Sequence, residues 1–457
     1  MAQGVKVDMT KGSLWDKIIL FAVPVALMAF LQQLFNATDV AVIGQFAGTK
    51  AMAAVGSCGA MCSFVVSLGT GMSLGANVTI ATSIGAGDKD AVRKAVHTAM
   101  LVAVGGGALL ALVGQVVIGP IMACMGIKDP AVEAMALTYM RIYLAGLPVI
   151  FLYDFQAAIM RSQGDTKTPL IALTVSGAVN VALNLLFVCV LGMDVDGVAI
   201  ATVTSSAISS VILLCILTHS ASIVRVDLRA LRIDGPSLKR IVLVGLPAGL
   251  QGALFSVANV IIQTAVNSLD TAVMAGNSAA NNIDAFSWYS LNAFGQACTT
   301  FVGQNNGAGK QDRCRKTLKL CFLEGYTAYA VITTILLLFT TQLLSIFNSD
   351  PAVIEAGRIR VYFILATHLF TMVVEIVSGY LRGYGVSLPP TIVALVSICV
   401  LRVLWVMFVF PMDHSLQTLL TVYPVSVGVN ALLTVVLTFA MRKQLGRRPA
   451  AAGNAAA

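Results

Sequence analysis

Long apolar blocks, broken by short polar and often basic interruptions, run the whole length of this 457-residue chain. Blocks of about 20 apolar residues or more match the thickness of a bilayer rather than a water-bounded core. Read with a window of about 19 residues, the pattern predicts twelve helices, at 14–44, 51–83, 94–119, 131–160, 168–191, 197–219, 239–266, 273–304, 316–346, 355–383, 388–411 and 417–441. Several are longer than a crossing requires, which implies tilt, kinks or extension into solvent. The first block follows Lys6, Lys11 and Lys17 in the manner of a secretion signal. Its apolar run from Ile18 to Gly44 exceeds the roughly 7–15 residues of a signal's apolar stretch, so it reads as a retained first helix.

Composition agrees, since 58% of residues are hydrophobic and 11% charged, against about 25% charged in soluble domains. The mean hydropathy is +0.87. The formal charge of +8 therefore reads as topology and not as a nucleic-acid surface. With both termini cytoplasmic, 23 of the 29 Lys and Arg fall at inside ends; Lys50, Lys128, Arg141, Arg358, Arg360 and Arg402 are the six outside that count. Outer loops carry Asp194, Asp196, Asp270, Asp350 and Asp413 instead.

The chain also repeats itself. Pro24 in AVPVAL matches Pro247 in GLPAGL, and Gly85 in SIGAGDKDAVRKA matches Gly307 in QNNGAGKQDRCRKT. DPAV at Asp129 recurs at Asp350, and RSQGDTKTP from Arg161 recurs as RGYGVSLPP from Arg382. The offsets, 223, 222, 221 and 221, place helix 1 over helix 7, so each copy holds six helices. An even number gives both copies the same sense across the membrane, related by a pseudo-two-fold along its normal. The expected division is an N-lobe at 1–219, a basic linker at 220–238, a C-lobe at 239–445 and a disordered Ala-rich tail at 446–457. Substrate and ion sites are expected near mid-membrane, within or between the lobes.

Ionisable groups inside spans cost at least about 2.5 kcal/mol each on insertion scales, so they mark pathways or pairs. The acidic candidates are Asp39, Asp154, Asp284, Glu324 and Glu375, and the basic ones Arg141 and Arg402. On a straight helix entered at Lys17, Asp39 is an ordinary interfacial acid; a kink at Pro24 keeps it in the outer half, facing a cavity. Asp154 and Glu375 are equivalent in the repeat, and each has an arginine seven residues on, Arg161 or Arg382. They are read either as site carboxylates or as packing partners of those arginines. Asn180 and Asn184 share one helix face, as interhelical glue or as neighbours of Asp39. Asn277, Asn281, Asn282 and Asp284 crowd eight residues of helix 8, which favours a water-filled cavity over lipid.

Other chemistries find little support. The nine cysteines form no C-x-x-C and no ligand-spaced set with His97, His219, His368 or His414, so neither a metal nor a disulfide framework is expected. GAGDK and GAGK lack the phosphate-loop spacing, and Gly105, Gly106 and Gly107 suit close helix packing. No catalytic triad or zinc-protease motif occurs, so an enzyme is not expected.

Pro24 with Asp39, IGAGDKDAVRKA after helix 2, RSQGDTKTP after helix 4, and VGQNNGAGKQDRCRK with YLRGYGVSLPP in the second half together resemble the multidrug and toxic compound extrusion (MATE) family. The resemblance covers essentially residues 12–445. It implies a monomeric inner-membrane antiporter without cofactor, which exports small organic cations from the cell against inward H⁺ or Na⁺ by alternating access. Pro24 and Pro247 would serve as hinges, and Asp39 matches the family's helix-1 coupling carboxylate. The family's helix-5 pair is Asn then Asp, whereas this chain has Asn180 and Asn184. The acids of a Na⁺-coupled branch would fall near Phe255 or Ser256 and near Thr371, none of them acidic; Asp284 and Glu375 are the stand-ins. The alternative function is a flippase for a lipid-linked oligosaccharide, which requires several cavity cations where only Arg141 and Arg402 lie well inside spans. A receptor or scaffold needs neither acids in both lobes nor a full-length repeat.

Overall fold

The computed structural model describes residues 8–445 except 126 and 128; the tail expected at 446–457 lies outside the described residues. These contain helices and no strand. The helices are α1 Trp15–Phe46, α2 Thr49–Ala86, α3 Lys89–Cys124, α4 Pro130–Ala145, α5 Leu147–Ser162, α6 Lys167–Asn184, α7 Val195–His219, α8 Gly235–Val266, α9 Thr271–Gly307, α10 Gln311–Leu338, α11 Thr340–Ser345, α12 Pro351–Gly383, α13 Leu388–Ala394, α14 Leu401–Leu404 and α15 Leu416–Leu445. Ten helical stretches are long and apolar enough to cross a bilayer, and α4 with α5 forms a further span bent by 49°. The remaining long helix, α9, is diluted by its own amides. Together these make the twelve-helix layout of two six-helix repeats.

Four of the predicted helices are not uniform. The one expected at 131–160 bends at Gly146, because Leu147-Pro148 opens a new first turn, where proline is tolerated. The one expected at 316–346 breaks at Phe339. The helix begun by α6 ends in a π-helical turn at Leu185–Val190, and α13 leads into π-helical turns at Leu395–Val400 and Trp405–Val409.

The repeated motifs have repeated structures. Asp129 and Asp350 both cap a helix with proline in its first turn, accepting from the N–H of Ala131 and of Ala352, each at 2.9 Å. Gly87 and Gly309 share a left-handed conformation (φ +74° and +70°), as do Gly164 and Gly385 (φ +88° and +79°). In the triple-glycine stretch only Gly107 is closely packed, against the backbone of Leu147 and Pro148; Gly105 and Gly106 face open space.

The described residues group into two compact units, one within 27–249 and the other 8–26 with 250–445. This departs from a division at the 220–238 linker, since α1 and α8 each change unit two residues beyond Pro24 and Pro247. Neither proline interrupts its helix. The side-chain distribution is that of a lipid-bathed protein. Leu112 and Val116 on α3 are 69% and 78% exposed, while Asn184 and Asn430 are fully buried.

Candidate functional site

In the first unit, Phe35 and Asp39 lie one turn apart on α1, and Gly177, Asn180 and Asn184 follow one face of α6. Gly177 has no side chain to hold Phe35 away: a Cβ there would overlap the Phe35 ring. That close approach sets α1 against α6 and brings Asp39 to Asn184. Asp39 is 5% exposed. Asn184 Nδ2 donates to Asp39 Oδ1 at 2.5 Å and to Asn180 Oδ1 at 3.2 Å. Thr202 Oγ1, from α7, lies 3.1 Å from Asp39 Oδ2 and 3.0 Å from the Val198 carbonyl, dividing one proton between two acceptors. No cation pairs with Asp39 within 4.0 Å among the described residues. Asn184 Oδ1 is buried without a hydrogen-bond partner. The π-helical turn starts immediately after Asn184, a distortion common beside functional sites.

The second unit assembles a different centre. Asn277, Asn281 and Asp284 lie on one stripe of α9 and converge on Arg360 of α12. Arg360 donates to Asn277 Oδ1 at 2.7 Å, to Asn281 Oδ1 at 2.9 Å and to Asp284 Oδ2 at 3.2 Å. The Asp284–Arg360 pair is buried, with side-chain exposures of 10% and 7%. Asn282 lies off this stripe and bonds the Ser278 carbonyl of its own helix. The expectation that only Arg141 and Arg402 lie well inside spans is therefore corrected for Arg360. α12 starts at Pro351 rather than 355, which places Arg360 about 14 Å along the helix at 1.5 Å per residue. The Asp350 cap was the available signal. Thr202 was also missed, because a lone threonine carries no mark in an apolar span.

Asp154 and Glu375 enter neither centre. Each has its own helix's arginine, Arg161 or Arg382, as an electrostatic neighbour, with no ion pair inside 4.0 Å among the described residues. Glu375 also accepts from Asn292 at 3.2 Å. Among the described residues no cluster of His, Cys, Asp and Glu could hold a metal.

Because the Asp284–Arg360 pair is buried, one side removed alone should cost more than both together. We expect Arg360→Met to destabilise the protein by about 3–5 kcal/mol, and Arg360→Met with Asp284→Leu to recover most of it. Thermal unfolding in detergent measures both. A double variant no more stable than Arg360→Met alone would refute the expected recovery.

A duplicated six-helix membrane bundle with buried polar centres in its spans is an architecture built by membrane transporters. The MatE family model matches residues 24–186 and again 247–407, one match per repeat, and the chain belongs to that family. It is 26% identical over 398 residues to the probable multidrug resistance protein YoeA of Bacillus subtilis, covering 85% of each chain. It is 28% identical over 397 residues to the probable multidrug resistance protein NorM of Thermotoga maritima, covering 84% of this chain and 83% of that one. Among solved structures, an outward-facing multidrug resistance MATE family transporter of the MOP superfamily superimposes with TM-score 0.85 at 22% identity, covering 98% of this chain and all of that one. That last likeness supports the fold.

Proposed function

We propose that this chain exports cationic amphipathic compounds in exchange for inward H⁺ or Na⁺, with Asp39 as the group for which ion and substrate compete. One observation carries the reading: Asp39 is buried, held by neutral donors from two helices and balanced by no cation among the described residues. A carboxylate so placed gains from a proton, a sodium ion or a substrate ammonium, and takes one at a time. Asp284 is a poorer coupling group, because Arg360 already supplies its positive charge. Deprotonated Asp39, with Asn180 and Asn184, holds the cation; the arriving ion releases it on the outer side. The names of YoeA and NorM agree with a drug-export role, and the bias of Lys and Arg toward alternate loops supports a cell-membrane protein with both termini on the cytoplasmic side.

The test is ethidium transport by purified protein in liposomes, with a proton gradient and a sodium gradient imposed separately. Ethidium should move against one of the two gradients at a rate well above protein-free liposomes. Protein that moves ethidium under neither would refute the antiport reading.

A further inference from the structure

The second unit also holds a positive charge that no carboxylate among the described residues neutralises. Arg402, on α14, is 6% exposed. It donates to Asn259 Oδ1 at 2.9 Å and lies 3.4 Å from Ser426 Oγ. No carboxylate pairs with it within 4.0 Å among the described residues, and the cation Arg360 is close enough to act on it electrostatically. Both guanidinium groups address one ring, Arg402 at 4.5 Å and Arg360 at 5.9 Å from the centroid of Tyr423. Asp284 balances one of the two cations. The Nε of Arg360 is buried with no acceptor. Beside them Asn259 and Asn281 are exposed, and exposed amides within spans favour a water-filled cavity over lipid.

We infer that the Arg360–Arg402–Tyr423 cluster of the second unit is a binding site for a carboxylate or phosphate group carried by a solute. A buried, uncompensated arginine in a membrane protein is costly, and an oxyanion between two guanidinium groups removes that cost through charge-assisted hydrogen bonds. Tyr423 holds the two cations in place but supplies no full negative charge, so the ligand must bring one. The site is independent of Asp39 and of the coupling ion, so it is tested by equilibrium binding without any gradient.

Two xanthene dyes separate charge from shape: carboxyfluorescein, which is anionic, and rhodamine 6G, which is cationic with its carboxyl esterified. Fluorescence anisotropy on the purified full chain in phospholipid-free detergent gives both affinities. Carboxyfluorescein should bind, inorganic phosphate should compete, and Arg402→Gln should weaken carboxyfluorescein at least tenfold while leaving rhodamine 6G within twofold. Asp284→Asn, which frees the charge of Arg360, should tighten carboxyfluorescein severalfold. A misfolded variant cannot produce opposite shifts at one site, and both variants are checked for monodispersity. Failure of carboxyfluorescein to bind, or equal binding by Arg402→Gln, would overturn the inference. Displacement by phosphatidylglycerol but not by phosphate would assign the cluster to a bilayer headgroup and overturn a solute site.

Discussion

Replacing Asp39 by Asn is expected to bring gradient-driven ethidium export to within a few per cent of the protein-free background while leaving the protein folded. Asn has nearly the volume of Asp, and its carbonyl oxygen can still accept from Asn184 or Thr202. What disappears is the charge. A hydrogen bond to a charged group contributes about 1.5–3 kcal/mol against about 1 for a neutral pair, so affinity for a bound cation should fall roughly two- to thirtyfold. The competing ion loses its site as well, and without competition the gradient has nothing to work through. Asn184→Leu should do less, because it leaves the carboxylate and Thr202 in place. Initial rates in liposomes, with protein amount matched, decide the matter. Asp39→Asn exporting at the unmodified rate would move the coupling group elsewhere, and the Glu375–Asn292 contact would be the next place to look.

The other large effect concerns assembly. Gly71→Val should largely abolish accumulation of folded protein in the membrane. Within the first unit α2 meets the start of α8 at glycines on both sides, and a Cβ on Gly71 would overlap the backbone of Gly249. A Cβ on Gly75 would meet the Ile241 carbonyl and Gly245 in the same way. Side chains can turn aside, but a helix backbone moves only by separating the two helices along their whole contact. In lipid that contact rests on close packing, because the tails are as apolar as the side chains. Gly105→Ala and Gly106→Ala are the controls, since open space surrounds both; they should be neutral or stabilising by about 0.5–1 kcal/mol. Folded yield by size-exclusion fluorescence and thermal unfolding report all three. Normal yield and melting temperature for Gly71→Val would mean that the crossing is looser than described.

Much of this was legible before any coordinates. Apolar block length depends only on the solvent, so the spans and their order could be read directly. The repeat was visible because caps and turns have strict residue requirements, and Asp129-Pro130 and Asp350-Pro351 obey the same ones. The pairing of Asn180 with Asn184 followed from helical phase. That Asp39 would meet them did not, because the meeting depends on Phe35 lying over Gly177, a contact between distant segments. Arg360 was passed over as a charge inside a span: the predicted helix began at 355, whereas the Asp350 cap starts it at Pro351 and puts Arg360 nine residues in. The π-helical turns had no visible signal, since their residues are as apolar as those of any α-helical span.

The exchange of helix segments between the two units bears on how the protein is made. Residues 8–26 leave the ribosome well before the partners that hold them, Phe301, Lys310 and Arg313. The carbonyls of Met9 and Gly12 are held by Arg313 at 3.0 Å, that of Thr10 by Lys310 at 2.8 Å, and Phe21 meets the edge of Phe301 at 5.8 Å. Domains usually mature in order of synthesis. Here the opening segment must wait, inserted but unanchored, until some three hundred further residues have been translated. A gene cut at the basic linker would therefore yield one fragment with an orphaned start and another lacking the strand of backbone that its arginine and lysine clamp.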